Sequence, residues 1–114
     1  MHEVGIMSSA MTAVLAEARR RGAQRVHRIV LRVGTLSGAE PDALRFAFEI
    51  VAQGTLAAGA EFEIDSVPAR ARCAECATEF DAGAGLICEC PICRRLSGDL
   101  SQGRELELAR LEMS

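Results

Sequence analysis

The chain has no tryptophan, no tyrosine and only four phenylalanines in 114 residues. Proteins that bind single-stranded nucleic acid commonly stack the bases on aromatic side chains, so this composition suits that role poorly. The formal net charge of −3 at pH 7 points the same way, because nucleic-acid-binding surfaces are usually basic. We therefore expect no nucleic-acid partner.

No stretch of the chain approaches the roughly 20 consecutive apolar residues that a helix needs to cross a bilayer. The N-terminus also lacks the basic segment and following apolar run of a secretory signal peptide. The five cysteines are an odd number, which does not suit a framework of paired disulfides. We expect a cytoplasmic protein with reduced thiols and no membrane partner.

Hydrophobic residues make up 49% of the chain, which is enough for one modest core. Apolar residues recur at helical spacing in two segments and alternate with polar residues in three others. The predicted elements are a helix from about residue 3 to Arg21, a strand at Gln24–Val33, a helix from Pro41 to just before Gly54, and strands at Glu61–Val67 and from Glu105 to Met113.

This order of elements predicts an α+β fold in which two helices pack on a three-stranded mixed sheet. The connection from the first strand to the second contains a helix, so it is long enough to make those strands parallel. The cysteine-rich stretch precedes the last strand and predicts a zinc-ribbon-like module inserted there. We expect one α+β domain at 1–69 and 101–114, and an inserted zinc-binding module at 70–100.

Four of the cysteines form two Cys-x-x-Cys pairs, Cys73 with Cys76 and Cys90 with Cys93. Each pair can present two thiolates from one tight turn, and two facing pairs complete the tetrahedral shell that Zn²⁺ accepts. Pro91 favours a turn within the second pair. Four protein ligands leave the metal no open position, so we expect a structural zinc site.

Cys88 offers a competing assignment, because it stands two residues before Cys90. Its spacings to Cys90 and Cys93 suit a zinc turn less well than Cys-x-x-Cys does. We therefore expect Cys88 to be a free thiol outside the zinc shell. The alternative for the four paired cysteines is a set of buried thiols that hold no metal.

His2 can place three nitrogen donors on one metal: its imidazole, its own backbone nitrogen and the α-amine of Met1. Such donors suit square-planar or tetragonal Ni²⁺ or Cu²⁺, and Glu3 adds a carboxylate oxygen within reach. On these residues alone, the simpler interpretation is that His2 is an exposed second residue. The other histidine, His27, is interpreted as a strand-end residue rather than a ligand.

Several stretches in one order carry a resemblance to a known family. They are MHE at 1–3 followed by two serines at 8–9, GTLSGAEPDALRFAFE at 34–49, GAEFEIDSVP at 59–68, the paired cysteine turns and GRELELARLEM at 103–113. Together they span essentially the whole chain. They resemble the hydrogenase nickel-incorporation family, the HypA-type nickel metallochaperones.

The resemblance implies a nickel carrier, not an enzyme, that binds Ni(II) at its N-terminus and delivers it for maturation of nickel–iron hydrogenase. The implied partners are a hydrogenase-maturation GTPase, the hydrogenase large-subunit precursor and the urease maturation proteins. The implied sites are a nickel site at His2, Met1 and Glu3 and a structural zinc site at Cys73, Cys76, Cys90 and Cys93. Glu40, an acidic residue near the loop before the second helix, is a further candidate oxygen donor whose participation the sequence leaves open.

Other functions remain as alternatives. The first is a zinc-ribbon interaction module that contacts nucleic acid or a transcription complex, which the acidic charge and missing aromatics disfavour. The second is a rubredoxin-like iron site for electron transfer. A hydrolase is the weakest alternative, because four sulfur ligands leave zinc no open position and no nucleophile–base pair is evident.

Overall fold

The computed structural model describes residues 2–82, 88–97 and 99–114. The helices are α1 (His2–Arg20) and α2 (Pro41–Val51), and the strands are β1 (Val26–Gly34), β2 (Glu61–Val67), β3 (Arg70–Arg72), β4 (Glu79–Asp81), β5 (Cys88–Glu89), β6 (Leu96–Ser97), β7 (Leu100–Gln102) and β8 (Leu106–Met113). The three longest strands form one sheet in the order β2-β1-β8. The predicted α+β fold of two helices and a mixed three-stranded sheet is confirmed. No helix within the described ranges is long and apolar enough to span a membrane.

The chain divides into two compact units. The first comprises Met1–Arg32, Ala39–Asp65 and Glu107–Ser114, and the second comprises Val33–Gly38 and Ser66–Leu106. Both helices and most residues of the three long strands belong to the first unit. The short strands β3 to β7 belong to the second.

One face of α1 supplies much of the core of the first unit. Met7, Met11, Val14 and Ala18 recur at steps of three and four residues, and all four are buried. This spacing places side chains on a single helical face, as the sequence predicted. The two methionines are therefore core residues.

The end of α1 is a Schellman motif centred on Gly22. Its N–H donates to the carbonyl of Arg19 at 3.1 Å, and the N–H of Ala23 donates to the carbonyl of Ala18 at 2.9 Å. Gly22 has a φ of +66°, a conformation that glycine adopts without the steric cost of a Cβ. The helix was predicted to extend to about Arg21, and it ends at Arg20, directly before this motif.

Helix α2 begins with a carboxylate cap. The Oε2 atom of Glu40 accepts the N–H of Ala43 at 2.7 Å, and Pro41 occupies the first turn, where its missing N–H is not needed. The helix packs against α1 and stacks the ring of Phe48 on that of Phe62 in β2, with ring centroids 4.8 Å apart. These contacts join both helices and the sheet in one core.

Strand β1 lies between an antiparallel and a parallel neighbour. Beside β8, Arg25 and Ser114 exchange backbone hydrogen bonds of 3.1 and 3.0 Å, the pattern of an antiparallel pair. On the β2 side, Arg28 donates a hydrogen bond to Glu63 at 3.0 Å. Further along the same pair of strands, Arg32 lies 3.7 Å from the carboxylate of Asp65. Residue numbers rise together on β1 and β2, as they do in parallel strands.

The second unit contains five short strands that the sequence analysis did not predict. Strand β3 pairs antiparallel with β4 and with β7, and β5 pairs antiparallel with β6. Each has only two or three residues, which is too short for an alternating pattern to be recognised. Ala71 and Phe80 pack here with the buried Cys73 and Cys90, so two sulfur atoms are part of this small core.

Gly34 and Gly103 allow two backbone segments of the second unit to approach closely. A Cβ on Gly34 would overlap the carbonyl oxygen of Gly103, and a Cβ on Gly103 would lie 2.7 Å from Cα of Ala69. The N–H of Gly34 donates to the carbonyl of Glu105 at 2.7 Å, and that of Leu36 to the carbonyl of Gly103 at 2.8 Å. A side chain at either glycine would force these segments apart.

Candidate metal centres

The first cysteine turn runs from Cys73 to Thr78. The N–H of Ala77 donates to the carbonyl of Cys73, and the N–H of Cys73 donates to the carbonyl of Thr78, both at 2.9 Å. Ala77 closes the turn with a left-handed φ of 60°. Hydrogen bonds from the N–H groups of Cys76 and Glu75 lower the pKa of the Cys73 thiol.

The second turn, from Cys90 to Arg95, repeats this design. The N–H of Arg94 donates to the carbonyl of Cys90, and the N–H of Cys90 donates to the carbonyl of Arg95, again both at 2.9 Å. Arg94 has a φ of 66°. In each turn the first cysteine is buried and the second is exposed, so the two turns present equivalent pairs of sulfur atoms.

The four sulfur atoms predicted from the sequence form one cluster. All lie within 4.8 Å of one another, with 3.4 Å between Cys73 and Cys93 and 3.6 Å between Cys76 and Cys90. A tetrahedral zinc with bonds of about 2.3 Å places its sulfurs about 3.8 Å apart, so the cluster fits zinc. Among the residues that the structure describes, no other group of three or more His, Cys, Asp or Glu is drawn together in this way.

The thiols of this cluster differ in acidity. The Thr78 hydroxyl lies 3.2 Å from the Cys76 sulfur and, with the Thr78 N–H, lowers the pKa of that thiol to about 6. At Cys93 the N–H of Arg95 lowers the pKa, but the neighbouring Cys73 and the other thiols outweigh it and raise the pKa to about 11. Four adjacent thiolates repel one another, and a divalent cation bound by all four offsets that repulsion.

Thr78 and Cys88 are near the four cysteines in sequence but are not predicted zinc ligands. Thr78 was not predicted from the sequence, although a hydroxyl two residues after a cysteine often forms a local hydrogen bond. Cys88 begins β5, and its side chain lies outside the described residues. Its exclusion from the zinc shell stays a prediction.

Two of the residues predicted to bind nickel, His2 and Glu3, lie at the start of α1. His2 is the first helical residue, and its side chain is 62% exposed, whereas that of Glu3 is 16% exposed. The Nδ1 atom of His2 lies 3.6 Å from Oε2 of Glu3. Met1, the third predicted donor, lies outside the described residues.

Glu3 is tied to the beginning of α2. Its Oε2 atom accepts the backbone N–H of Glu40 at 3.2 Å, and this bond lowers the pKa of the Glu3 carboxyl. The carboxylate of Glu40, predicted as a further oxygen donor, caps α2 by accepting the N–H of Ala43. The starts of the two helices therefore hold Glu3 beside His2.

His27 has a different environment. Its Nε2 atom lies 2.7 Å from the hydroxyl of Ser114, the residue that follows β8. This hydrogen bond agrees with the interpretation of His27 as a strand-end residue.

Nearly the whole chain matches one protein family. A family model described as hydrogenase/urease nickel incorporation, metallochaperone, hypA matches residues 1–113. The chain is 42% identical over 113 residues to the hydrogenase maturation factor HypA of Desulfitobacterium hafniense (strain DSM 10664 / DCB-2), covering 99% of this chain and 98% of the relative. It is 44% identical over 105 residues to the protein of that name from Chlorobium limicola, covering 92% and 90%.

Solved structures show the same fold. The solution structure of a HypA protein superposes with a TM-score of 0.73 at 26% identity, covering 100% of this chain and 97% of that one. The solution structure of the Ni metallochaperone HypA from Helicobacter pylori gives a TM-score of 0.66 at 24% identity, covering 97% and 96%. The latter likeness supports the fold alone.

Proposed function

Because the chain belongs to the HypA family of hydrogenase/urease nickel-incorporation metallochaperones, we propose that it takes up Ni²⁺ at its N-terminus through His2, Met1 and Glu3. Family membership makes the protein a maturation factor rather than an enzyme, as the resemblance implied. It does not favour the alternative of a zinc-ribbon module that contacts nucleic acid.

The observation that carries the proposal is the exposed His2 at the start of α1, with the Glu3 carboxylate 3.6 Å from its Nδ1 atom. The first N–H groups of a helix have no carbonyl partner within it. Since α1 begins at His2, the backbone nitrogen of His2 is outside the helical hydrogen-bond ladder. Imidazole and backbone nitrogen can therefore act together with the α-amine of Met1, the donor set that square-planar Ni²⁺ favours.

An exposed site of this kind suits a cargo ion that must also leave. Imidazole and amine groups bind metal only when deprotonated, so protons compete with nickel for them. A partner protein can also approach an exposed imidazole and supply ligands of its own. Nickel is therefore the substrate of transfer here and not a permanent part of the fold.

We propose a permanent zinc site at Cys73, Cys76, Cys90 and Cys93. The sulfur separations and the matched turns support it, and the cluster fits zinc. Zinc bound there would join the two turns and complete the small core that contains two of the cysteines. With four sulfur ligands it would have no open coordination position for catalysis.

The family role implies partner maturation proteins. We propose that these are a hydrogenase-maturation GTPase and the hydrogenase large-subunit precursor, together with urease maturation proteins, and that transfer takes place in the cytoplasm. Nickel inserted into a precursor must be handed over from an accessible site, which the exposure of His2 provides.

The proposal is tested by calorimetric nickel titration of untagged protein, with His27→Ala as the matched control for His2→Ala. We expect His2→Ala to abolish specific nickel binding, and His27→Ala to leave it unchanged. Zinc content, measured in the same samples, should be equal in all three proteins. Nickel binding that survives His2→Ala, or is lost in His27→Ala, would contradict the assignment.

A further inference from the structure

A groove of about 650 Å³ lies in the first unit, away from the N-terminal residues of α1. One wall is the C-terminal end of α1, and the other is the connection between α2 and β2. The lining residues include Leu15, Arg19 and Ala23 on the first wall and Gly54, Thr55 and Leu56 on the second. This volume is in the range of sites that accept a ligand or a large side chain.

The second wall of the groove is held in place by its own hydrogen bonds. The hydroxyl of Thr55 donates to the carbonyl of Ala52 at 2.7 Å and accepts the N–H of Ala57 at 3.1 Å. The carbonyl of Leu56 accepts the N–H of Val26 at 3.0 Å, which attaches the connection to β1. The Leu56 side chain nevertheless remains 38% exposed. The groove is thus preformed, with an apolar side chain at its rim.

The groove also carries one uncompensated positive charge. Arg20 and Arg21 both bind Glu17, at 2.5 and 2.7 Å. Within the described part of the chain, Arg19 makes no such ion pair, although it lines the groove. The end of α1 is therefore locally basic in a chain whose net charge is −3.

We propose that this groove is a docking site for an acidic segment of a partner protein, with a bulky apolar side chain against Leu15 and Leu56 and a carboxylate beside Arg19. The positive charge of Arg19 favours a negatively charged segment, and the apolar walls favour an apolar side chain. The groove is open to solvent, so it would cover one side of an extended segment rather than enclose a small molecule. Docking at this groove is independent of nickel binding.

The test is a titration of the ¹⁵N-labelled protein with three acetylated hexapeptides, followed by amide chemical shifts. The central leucine pair is flanked by glutamates in the first peptide and by lysines in the second, and the third has serines between glutamates. We expect only the first peptide to shift the amides of residues 15–23 and 54–57. Equal binding of the lysine peptide, or shifts centred elsewhere, would overturn the proposal.

Three variants locate the interaction. Arg19→Glu and Leu56→Ser should each weaken binding of the glutamate–leucine peptide about tenfold. Arg20→Glu makes the same charge change one residue away, outside the groove, and should have a much smaller effect. The spectra report directly whether each variant is folded. A second titration uses anionic phosphatidylglycerol vesicles. If the protein bound vesicles through Arg19 and Leu56 but bound no peptide, the ligand of the groove would be a membrane surface and the proposed protein partner would be wrong.

Discussion

In the second unit four sulfur atoms lie within 4.8 Å of one another, whereas in the first unit the nearest side-chain carboxylate to the His2 imidazole is that of Glu3, at 3.6 Å. The sulfurs belong to two matched turns, and two of the cysteines are buried. His2 is 62% exposed at a helix start. The contrast teaches that the chain builds the four-cysteine cluster to enclose an ion, whereas the residues proposed to bind nickel stay open to solvent.

The largest effect is expected from Cys90→Ser. Apparent structural-zinc free energies of about 10–16 kcal/mol are comparable to the whole stability of a small domain. The variant should therefore lose zinc and the dispersed amide spectrum of β3 to β7, while nickel binding at His2 persists. Metal analysis and amide spectra measure these outcomes. Loss of nickel binding along with zinc would show that the two sites are not independent.

Cys88→Ser is the matched control for that substitution. It removes a thiol two residues away, and we expect it to keep one zinc per chain. If Cys88→Ser released zinc and Cys90→Ser retained it, the assignment of the second cysteine pair would be wrong.

The next largest effect concerns the close backbone approach in the second unit. Gly34→Ala places a Cβ against the Gly103 carbonyl and should destabilise the protein by about 3 kcal/mol. Gly5→Ala is the control in α1, where a Cβ meets nothing within 4 Å, and it should stabilise by about 0.5–1 kcal/mol. Urea unfolding measures both changes. Similar effects at the two positions would contradict the packing described here.

A third experiment adds one residue before Met1. The extension converts the α-amine to an amide and so removes one of the proposed nickel donors. Since even indirect partners of a metal typically contribute 10–100-fold to affinity, we expect nickel binding to weaken about a hundredfold. The same residue added after Ser114 should change nothing, and zinc content should stay constant in both. Unaltered nickel binding by the extended protein rules out the Met1 amine.

The smallest effect concerns Glu3 and its hydrogen bond from Glu40. The bond lowers the pKa of Glu3 in the folded state, so it stabilises the fold above the ordinary carboxyl pKa and is lost as pH falls through the lowered value. Thermal unfolding should show Glu3→Gln to be slightly less stable than the parent at pH 7, and the difference should be smaller near pH 3. Glu49→Gln, on the exposed side of α2, should match the parent at both pH values.

The two helices and β1 were predictable because each buries one face. The stripe of Met7, Met11, Val14 and Ala18 and the glycine at residue 22 define α1 in the sequence as they do in the structure. The strands β3 to β7 were not predictable, because two or three residues carry no period, and the pairing of β3 with β7 joins segments distant in sequence.

The candidate sites show the same limit. Cys-x-x-Cys spacing indicated which sulfurs would meet, because turn geometry is local. The contacts of Cys76 with Thr78 and of Glu40 with Ala43 are also local. The hydrogen bond from the Glu40 N–H to Glu3 is different, because it joins two helix starts that are distant in sequence. The sequence indicated donor types at these positions but not what each donor contacts.

We propose that the chain binds zinc permanently and nickel reversibly. The most direct measurement is equilibrium dialysis of untagged protein, loaded with both metals, against a chelator at neutral pH, with nickel and zinc determined in the same sample. We predict that nickel leaves and can be restored while one zinc per chain remains. A protein that keeps its zinc but takes up no nickel, or that releases both metals together, would contradict the account.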